Sequence, residues 1–210
     1  MSATLERPKV PAEFRGLARL FRDEVKRVDV RMNEALAAIA RPLVARLRRH
    51  PRLRHELIAA AVKIYHATTP AEFRLGEIEV NPDRDAFLIA ETRATATWIN
   101  IAAWNNDDAT EPGVAVARFA LAMRPGRGMV QAWIPRGIVS LHALARRLER
   151  GADRSHDALL ADLAVLTAAG ADDDRMATPS GGFWLGPMEV MGGTDKVTAR
   201  ARNVRTWVPE

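Results

Sequence analysis

The hydrophobic periodicity of this 210-residue chain changes at Pro70, and no other feature constrains the fold as strongly. Before Pro70, apolar residues recur every three or four positions, whereas several segments after it alternate between polar and apolar residues. Steps of three and four predict helices, and steps of two predict strands with one buried face. We therefore expect a helical, basic N-terminal region, residues 1–70, followed by an α+β region, residues 71–210.

Two helices are predicted before Pro70. The longer one covers residues 12–49, and Pro42 is expected to kink or break it because proline supplies no backbone N–H. The shorter one covers about residues 52–67. Each has an apolar stripe that predicts a buried face. In the longer helix the stripe consists of Phe14, Leu17, Ala18, Phe21, Val25, Val28, Met32, Leu36 and Ile39.

Strands and helices occur in separate blocks after Pro70. Strand-like segments cover residues 86–100, 114–123 and 129–134, and a short Gly/Pro connection typical of a hairpin joins the last two. Two helices follow, with Ser140 and Ser155 as their N-cap residues, and two closing strands complete the chain. This order, β-β-β-α-α-β-β, predicts an α+β fold in which two helices are inserted between the strand blocks of an antiparallel sheet.

The composition excludes several classes of protein. The chain has 48% hydrophobic and 27% charged residues, as globular proteins do, and it has no cysteine for disulfides or thiolate metal sites. No apolar run approaches the roughly 20 residues that cross a bilayer, and the N-terminus has no signal-peptide core, so we expect a cytoplasmic protein without membrane contact. The glycine-rich nucleotide motifs and compact histidine ligand sets are absent, so we expect neither a cofactor nor a metal.

Positive charge is concentrated near the N-terminus. Residues 1–70 contain 15 Lys or Arg against 7 Asp or Glu. The segment ARLRRHPRLRH, residues 45–55, lies between the two predicted helices and carries five arginines: Arg46, Arg48, Arg49, Arg52 and Arg54. Such a cluster is either a solvated corner between helices or a surface that binds nucleic-acid phosphates.

The segment IVSLHALARRLERG, residues 138–151, contains the candidates for chemistry. Its helix has an apolar stripe at i, i+3, i+4 and i+7, formed by Leu141, Leu144, Ala145 and Leu148. We expect this stripe to pack on one antiparallel sheet formed by residues 86–134 and 183–208. On the adjoining face, His142, Arg146 and Glu149 are spaced to touch one another.

This adjoining face has two interpretations. An imidazole transfers protons near neutral pH, and a guanidinium one turn away binds a phosphate and stabilises charge that develops on it. The spacing therefore permits acid–base chemistry on a phosphodiester. The alternative is the ordinary solvated face of a surface helix.

Residues 138–208 resemble the small toxin-type ribonucleases of the barnase–colicin–RelE-like superfamily. HALARRLERG, residues 142–151, matches an opening helix of the form HALxRxxERG, and VRTWV, residues 204–208, matches a closing strand with a hydrophobic–Thr–hydrophobic element. The similar segment covers about one third of the chain. The preceding strands and the long N-terminal helices are not part of the minimal domain of that family.

The resemblance implies metal-independent cleavage of RNA, in which the 2′-OH attacks the phosphodiester and leaves a 2′,3′-cyclic phosphate. It implies that His142 is the general acid or base and that Arg146 or Arg205 stabilises the charge on phosphorus. It also implies that Thr206 hydrogen-bonds a phosphate oxygen or orients His142. RNA would be the partner, and the N-terminal helices would provide a basic surface, a homodimer contact or the binding face of a protein inhibitor.

A second hypothesis comes from a different class of protein. A compact, cysteine-free chain with a basic helical corner also suits a non-catalytic protein of a phage, plasmid or defence system. Such a protein, like an anti-CRISPR inhibitor, would grip a nucleoprotein complex through that corner. Convergence of His142, Arg205 and Thr206 in one open cleft would favour the enzyme, whereas burial of His142 under the N-terminal helices would favour the binding protein.

Overall fold

The computed structural model describes residues 9–50, 52, 54–82, 87–96, 112–124, 128–168, 174–192 and 198–210. The helices are α1, Ala12–Arg49; α2, Arg54–Thr68; α3, Leu141–Arg150; and α4, His156–Ala164, which continues as a 3₁₀ turn, Val165–Ala168. The strands are β1, Glu79–Pro82; β2, Phe87–Thr95; β3, Pro112–Arg124; β4, Gly128–Ser140; β5, Arg175–Thr178; β6, Gly182–Leu185; β7, Met188–Gly192; β8, Thr198–Val204; and β9, Thr206–Pro209.

Helix α1 buries most of its predicted apolar stripe, including Phe21, Val25 and Met32, whereas Leu17 stays 44% exposed at the edge of that stripe. The predicted bounds, residues 12–49, are confirmed, and Pro42 does not break the helix, which continues through this residue to Arg49. A missing N–H costs one hydrogen bond of the helix. Packing against α2 continues on both sides of Pro42, since Ala38 and Arg46 line the same groove between the two helices.

The strands form two sheets. The larger has the order β1-β2-β3-β4-β8-β7, and the smaller has the order β5-β6-β9. All neighbours in both sheets are antiparallel except β4 and β8, which run parallel with Gly137 opposite Arg202 and Val139 opposite Val204. The predicted α+β class, with a helical N-terminal third and two helices between strand blocks, is confirmed.

The expectation of a single antiparallel sheet from residues 86–134 and 183–208 is wrong in two respects, because one strand pair is parallel and β6 and β9 belong to a separate sheet. The chain between β6 and β7 and the chain between β8 and β9 run side by side where they pass from one sheet to the other. Arg205 N donates to Leu185 O at 2.9 Å, and Asn203 N donates to Pro187 O at 2.9 Å. Pro187 has no N–H to extend a ladder, and the first predicted closing strand is divided there into β6 and β7. The second is divided at Arg205 into β8 and β9.

Helix α3 lies in the middle of the fold. It packs against α1 on one side and against β9 on another, and it also contacts β3 and β4. Leu141, Leu144 and Leu148 are buried in one cluster with residues of α1, α4 and both sheets. Ser140 caps the helix as predicted, since its Oγ accepts from Ala143 N at 3.1 Å.

Candidate functional site

The basic corner is formed where α1 ends and α2 begins. Arg46, Arg49 and Arg52 are exposed there, and His50 and His55 beside them are exposed too. Arg46 and Arg49 are three residues apart on one helix, so their side chains share a face. The side chains of Arg48 and Arg54 lie outside what the structure describes.

The three described corner arginines differ from the arginines of the core. Within the described part of the chain, Arg46, Arg49 and Arg52 form no ion pair. Arg93 and Arg147, by contrast, are fully buried and each pairs with a buried carboxylate. The corner therefore presents positive charge that the described carboxylates do not neutralise.

An open apolar groove of about 270 Å³ lies next to this corner, between α1 and α2. Its walls are mainly alanine and isoleucine side chains, including Ala38, Ile39 and Ile64, and Arg46 is also part of the lining. Small side chains along both helices explain the shallow depression, because they fill less of the space between the helix axes.

The predicted catalytic group on α3 is mostly enclosed. Arg146 has a side chain that is only 6% exposed, and its Nη1 donates to Glu149 Oε2 at 2.7 Å. His142 is half-buried in the first turn of the helix. The face that these residues share is thus partly covered by the fold, because α3 has neighbours on several sides: Arg146 is nearly inaccessible, whereas His142 and Glu149 are half-buried.

Arg205 and Thr206 follow β8 and reach the small sheet beside the start of α3. Ser140 Oγ donates a long hydrogen bond of 3.4 Å to Arg205 O, which brings this segment next to the cap of α3. The exposed Arg205 guanidinium pairs with Glu189, with Nη2 3.1 Å from Oε1. The carboxylate of Glu189 also accepts from Asn203 Nδ2 at 3.0 Å.

The alternation of side chains along β9 directs the Thr206 side chain away from α3. The neighbouring Trp207 faces α3, with its ring centroid 5.7 Å from Arg147 Cζ. Successive side chains of a strand point to opposite faces. The half-buried Thr206 side chain therefore projects from the other face of β9. The structure thus brings the N-cap of α3, two residues before His142, into contact with the backbone of Arg205 and directs the side chain of Thr206 away from α3.

A buried ion pair between Arg147 and Asp162 was not anticipated from the sequence. Arg147 Nε donates to Asp162 Oδ2, and Arg147 Nη1 donates to Asp153 O at 2.6 Å. Asp162 also accepts from Ser180 N at 3.1 Å and from Ser180 Oγ at 2.5 Å. This network ties α3, α4 and the turn before β6 together. The network depends on how α3, α4 and this turn pack together, so no local pattern in the sequence indicates the ion pair.

A second buried network joins α2 to β2. Glu91 accepts from Tyr65 Oη, from Arg74 Nε and from Arg93 Nη1, each at 2.8 Å. Burial, with the adjacent Glu91 carboxylate, raises the pKa of Tyr65 well above its ordinary value. Arg93 also donates to the carbonyl oxygens of Pro70 and Glu72, both at 3.0 Å. These bonds fix the end of α2 to the sheet and so hold the hairpin of α1 and α2 in place.

Neither a cluster of metal-ligating side chains nor a helix that could span a membrane is found in the described ranges. Among these residues, no group of three or more His, Cys, Asp or Glu side chains is arranged to hold a metal ion. Of the helices that the structure describes, none combines the length and the apolar composition that a membrane span requires.

Comparison with known proteins does not assign a family. No protein-family model, no curated protein and no solved structure matches this chain.

Proposed function

We propose that the chain is a non-catalytic nucleic-acid-binding protein that contacts phosphates through the corner between α1 and α2. The observation that carries this proposal is that Arg46, Arg49 and Arg52 are exposed and that no carboxylate in the described ranges pairs with them. Guanidinium groups bind phosphate oxygens with two parallel N–H bonds. RNA, DNA or a nucleoprotein complex offers such phosphates in a row.

Two further features of the corner support phosphate binding. Helix α2 begins at Arg54, and the free N–H groups at a helix N-terminus attract anions. The helix that begins at the corner is also anchored at its other end, because Tyr65 of α2 donates to the buried Glu91 of the sheet. Rigid placement lowers the entropy that is lost when arginines engage a ligand.

The burial of Arg146 supports binding over catalysis. This arginine is paired with Glu149 and nearly inaccessible, so it has no open path to a phosphodiester in this structure. The half-burial of His142 on the same face points in the same direction. At the corner between α1 and α2, by contrast, Arg46, Arg49 and Arg52 are all exposed.

Charge reversal at the corner tests this proposal. The variant Arg46→Glu/Arg49→Glu/Arg52→Glu should bind RNA and DNA at least about 10²-fold more weakly at low salt, because three phosphate contacts become repulsive. Fluorescence anisotropy with labelled duplex and single-stranded RNA and DNA measures this change.

A matched control has the same change in net charge at exposed arginines outside α1 and α2, namely Arg150→Glu/Arg175→Glu/Arg200→Glu. It should lose much less affinity than the corner variant. Equal losses in the two variants would show that only overall charge matters, and the proposed interface would then be wrong.

A second candidate function is metal-independent endoribonuclease activity at the start of α3. The contact between Ser140 Oγ and Arg205 O supports it, because this contact brings the first turn of α3, with His142, beside a segment that carries an exposed guanidinium. In this hypothesis His142 transfers the proton and Arg205 stabilises the phosphorane charge. Arg146 is then a positioning residue through Glu149, and a contribution of Thr206 requires a rearrangement of β9.

Cleavage of a mixed RNA pool tests the second candidate. His142→Ala should reduce cleavage about 10²-fold or more while the melting temperature stays near that of the wild type. The products should end in 2′,3′-cyclic phosphate, and EDTA should have no effect. Intact RNA after incubation with the wild-type protein would reject this activity and leave nucleic-acid binding as the proposed function.

A further inference from the structure

Helix α1 carries a second basic surface far from the corner. Its members are spaced by four, three and four residues, which places them in one row along the helix, and they are Arg15, Arg19, Arg22 and Lys26. Three of them are exposed, and Arg22 is half-buried. We name this row the α1 stripe.

The α1 stripe is a continuous run of positive charge. It contains no acidic residue, and the neighbouring Asp23 pairs with Arg22, with its Oδ1 3.0 Å from Nε. Arg15 and Lys26, at the two ends of the row, are 11 positions apart, or about 16 Å of helix length. Each strand of duplex DNA carries one negative charge per about 3.4 Å of axis, so a backbone lying along the stripe presents phosphates to Arg15, Arg19 and Lys26, while Arg22 pairs with Asp23.

The stripe and the corner lie on opposite faces of α1. Arg19 and Arg46 are 27 residues apart, as are Arg22 and Arg49. At 3.6 residues per turn this separation is about seven and a half turns, which reverses the direction of the side chains. The position of Arg46 agrees with this count, because it lines the groove on the α2 side of α1. Along the axis the two surfaces are about 40 Å apart.

We infer that one chain bridges two nucleic-acid segments, one on the corner and one on the α1 stripe. This inference rests on the proposed function and adds a second binding surface to it. A straight duplex lying against α1 touches one face of the helix only, so two oppositely directed basic surfaces require two segments. The occupant of the stripe is a phosphodiester backbone, since the surface offers cationic side chains in a row along the helix.

The first test isolates the stripe. We add the stripe substitutions Arg15→Glu/Arg19→Glu/Lys26→Glu to the corner variant Arg46→Glu/Arg49→Glu/Arg52→Glu. Arg22 is not changed, because it pairs with Asp23. The corner variant should keep residual binding to RNA or DNA duplex, and the added stripe changes should weaken it about 10-fold or more. Adding Arg150→Glu/Arg175→Glu/Arg200→Glu instead is the matched control. If the stripe changes weaken binding no more than this control does, the inference is wrong.

The second test measures bridging directly. A biotinylated duplex on beads should capture a fluorescent duplex only when wild-type protein is present. The stripe variant, Arg15→Glu/Arg19→Glu/Lys26→Glu alone, should still bind a single duplex through its corner but should lose this capture. The corner variant should likewise bind a single duplex through its stripe and lose the capture. Capture by the stripe variant at the wild-type level would overturn the inference and leave the proposed function intact. Unchanged single-duplex affinity of the corner variant would instead overturn the proposed function.

A mixture of the two variants decides whether one chain holds both segments. If each chain bridges by itself, mixing stripe and corner variants should not restore capture. Restored capture would mean that bridging needs two associated chains, each holding one segment, and it would overturn the inference as stated. Running the assay with RNA and DNA duplexes of the same sequence shows which backbone the stripe prefers, and capture of either one supports the inference.

Discussion

The ion pair between Arg147 and Asp162 should be the most costly polar contact to break in this protein. Both side chains are fully buried. Replacing Arg147 with methionine keeps most of the apolar stem but removes the bond to Asp162, the bond to Asp153 O and the contact with the Trp207 ring. The carboxylate of Asp162 then keeps only the two bonds from Ser180.

The magnitude follows from leaving one charge buried without its partner. Removal of one member of a buried pair costs about 3–5 kcal/mol. In a chain of 210 residues, a loss of this size lowers the melting temperature by about 6–20 °C. Asp162→Asn should cost a similar amount, because it leaves the Arg147 guanidinium uncompensated.

A double-mutant cycle separates this pair from the surrounding packing. The double variant Arg147→Met/Asp162→Asn buries no charge, so it should be more stable than the sum of the single effects predicts, by at least about 1.5 kcal/mol. Urea unfolding followed by tryptophan fluorescence measures all four proteins, since the indoles of Trp184 and Trp207 are buried and report on this region.

An exposed arginine of the same helix is the matched control. Arg150→Met should change the free energy of unfolding by no more than about 0.5 kcal/mol. A loss below about 1 kcal/mol for Arg147→Met, or strict additivity in the cycle, would refute the argument that the pair joins α3 to α4.

Three further predictions concern the core. Leu144→Ala should cost about 2–5 kcal/mol in urea unfolding, because Leu144 is fully buried and alanine leaves a cavity. Gly182→Ala should destabilise by at least about 1–3 kcal/mol in the same assay, because an added Cβ would lie 2.1 Å from Trp207 Cζ2; wild-type stability would contradict this packing. The pKa of Tyr65, the one tyrosine of the chain, is raised in the folded state, so that state keeps a proton that the unfolded state loses above about pH 10. Stability should therefore fall as pH rises above about 10, by up to about 1.4 kcal/mol per pH unit more than in Tyr65→Phe, and equal slopes would contradict the prediction.

Local signals in the sequence predicted the helices well. Ser140 and Ser155 both act as N-caps as expected, because a hydroxyl that bonds the N–H three residues later is a local interaction. The apolar stripes of α1 and α3 were also visible, since a helix face repeats over many residues. The sequence also predicts Gly170 as the C-cap of the helix that begins at Ser155, and this residue lies outside the described ranges.

Long-range pairing was not predictable in the same way. Strand β5 has four residues within a segment that reads as a loop, and its pairing with β6 is what makes it a strand. The parallel contact of β4 with β8 joins segments more than sixty residues apart. No local pattern specifies either contact.

For the candidate sites, too, local features could be predicted from the sequence and long-range packing could not. The clustering of Arg46, Arg49 and Arg52 is a property of the sequence, but their exposure depends on how α2 packs on α1. Arg146 and Arg147 read as surface charges on a helix, and their burial follows from the neighbours that surround α3. The importance of Asp162 also emerges only from the tertiary structure.

The salt dependence of nucleic-acid binding tests the central claim most directly. Each phosphate contact contributes about 0.9 to the slope of log K against log salt concentration for duplex DNA. Between about 50 and about 200 mM salt, the wild-type protein should therefore show a slope that is steeper than that of Arg46→Glu/Arg49→Glu/Arg52→Glu by between about 2 and 3. Identical slopes for the two proteins, or no binding by the wild type at the lower salt concentration, would contradict the assignment of the corner between α1 and α2 as a phosphate-binding surface.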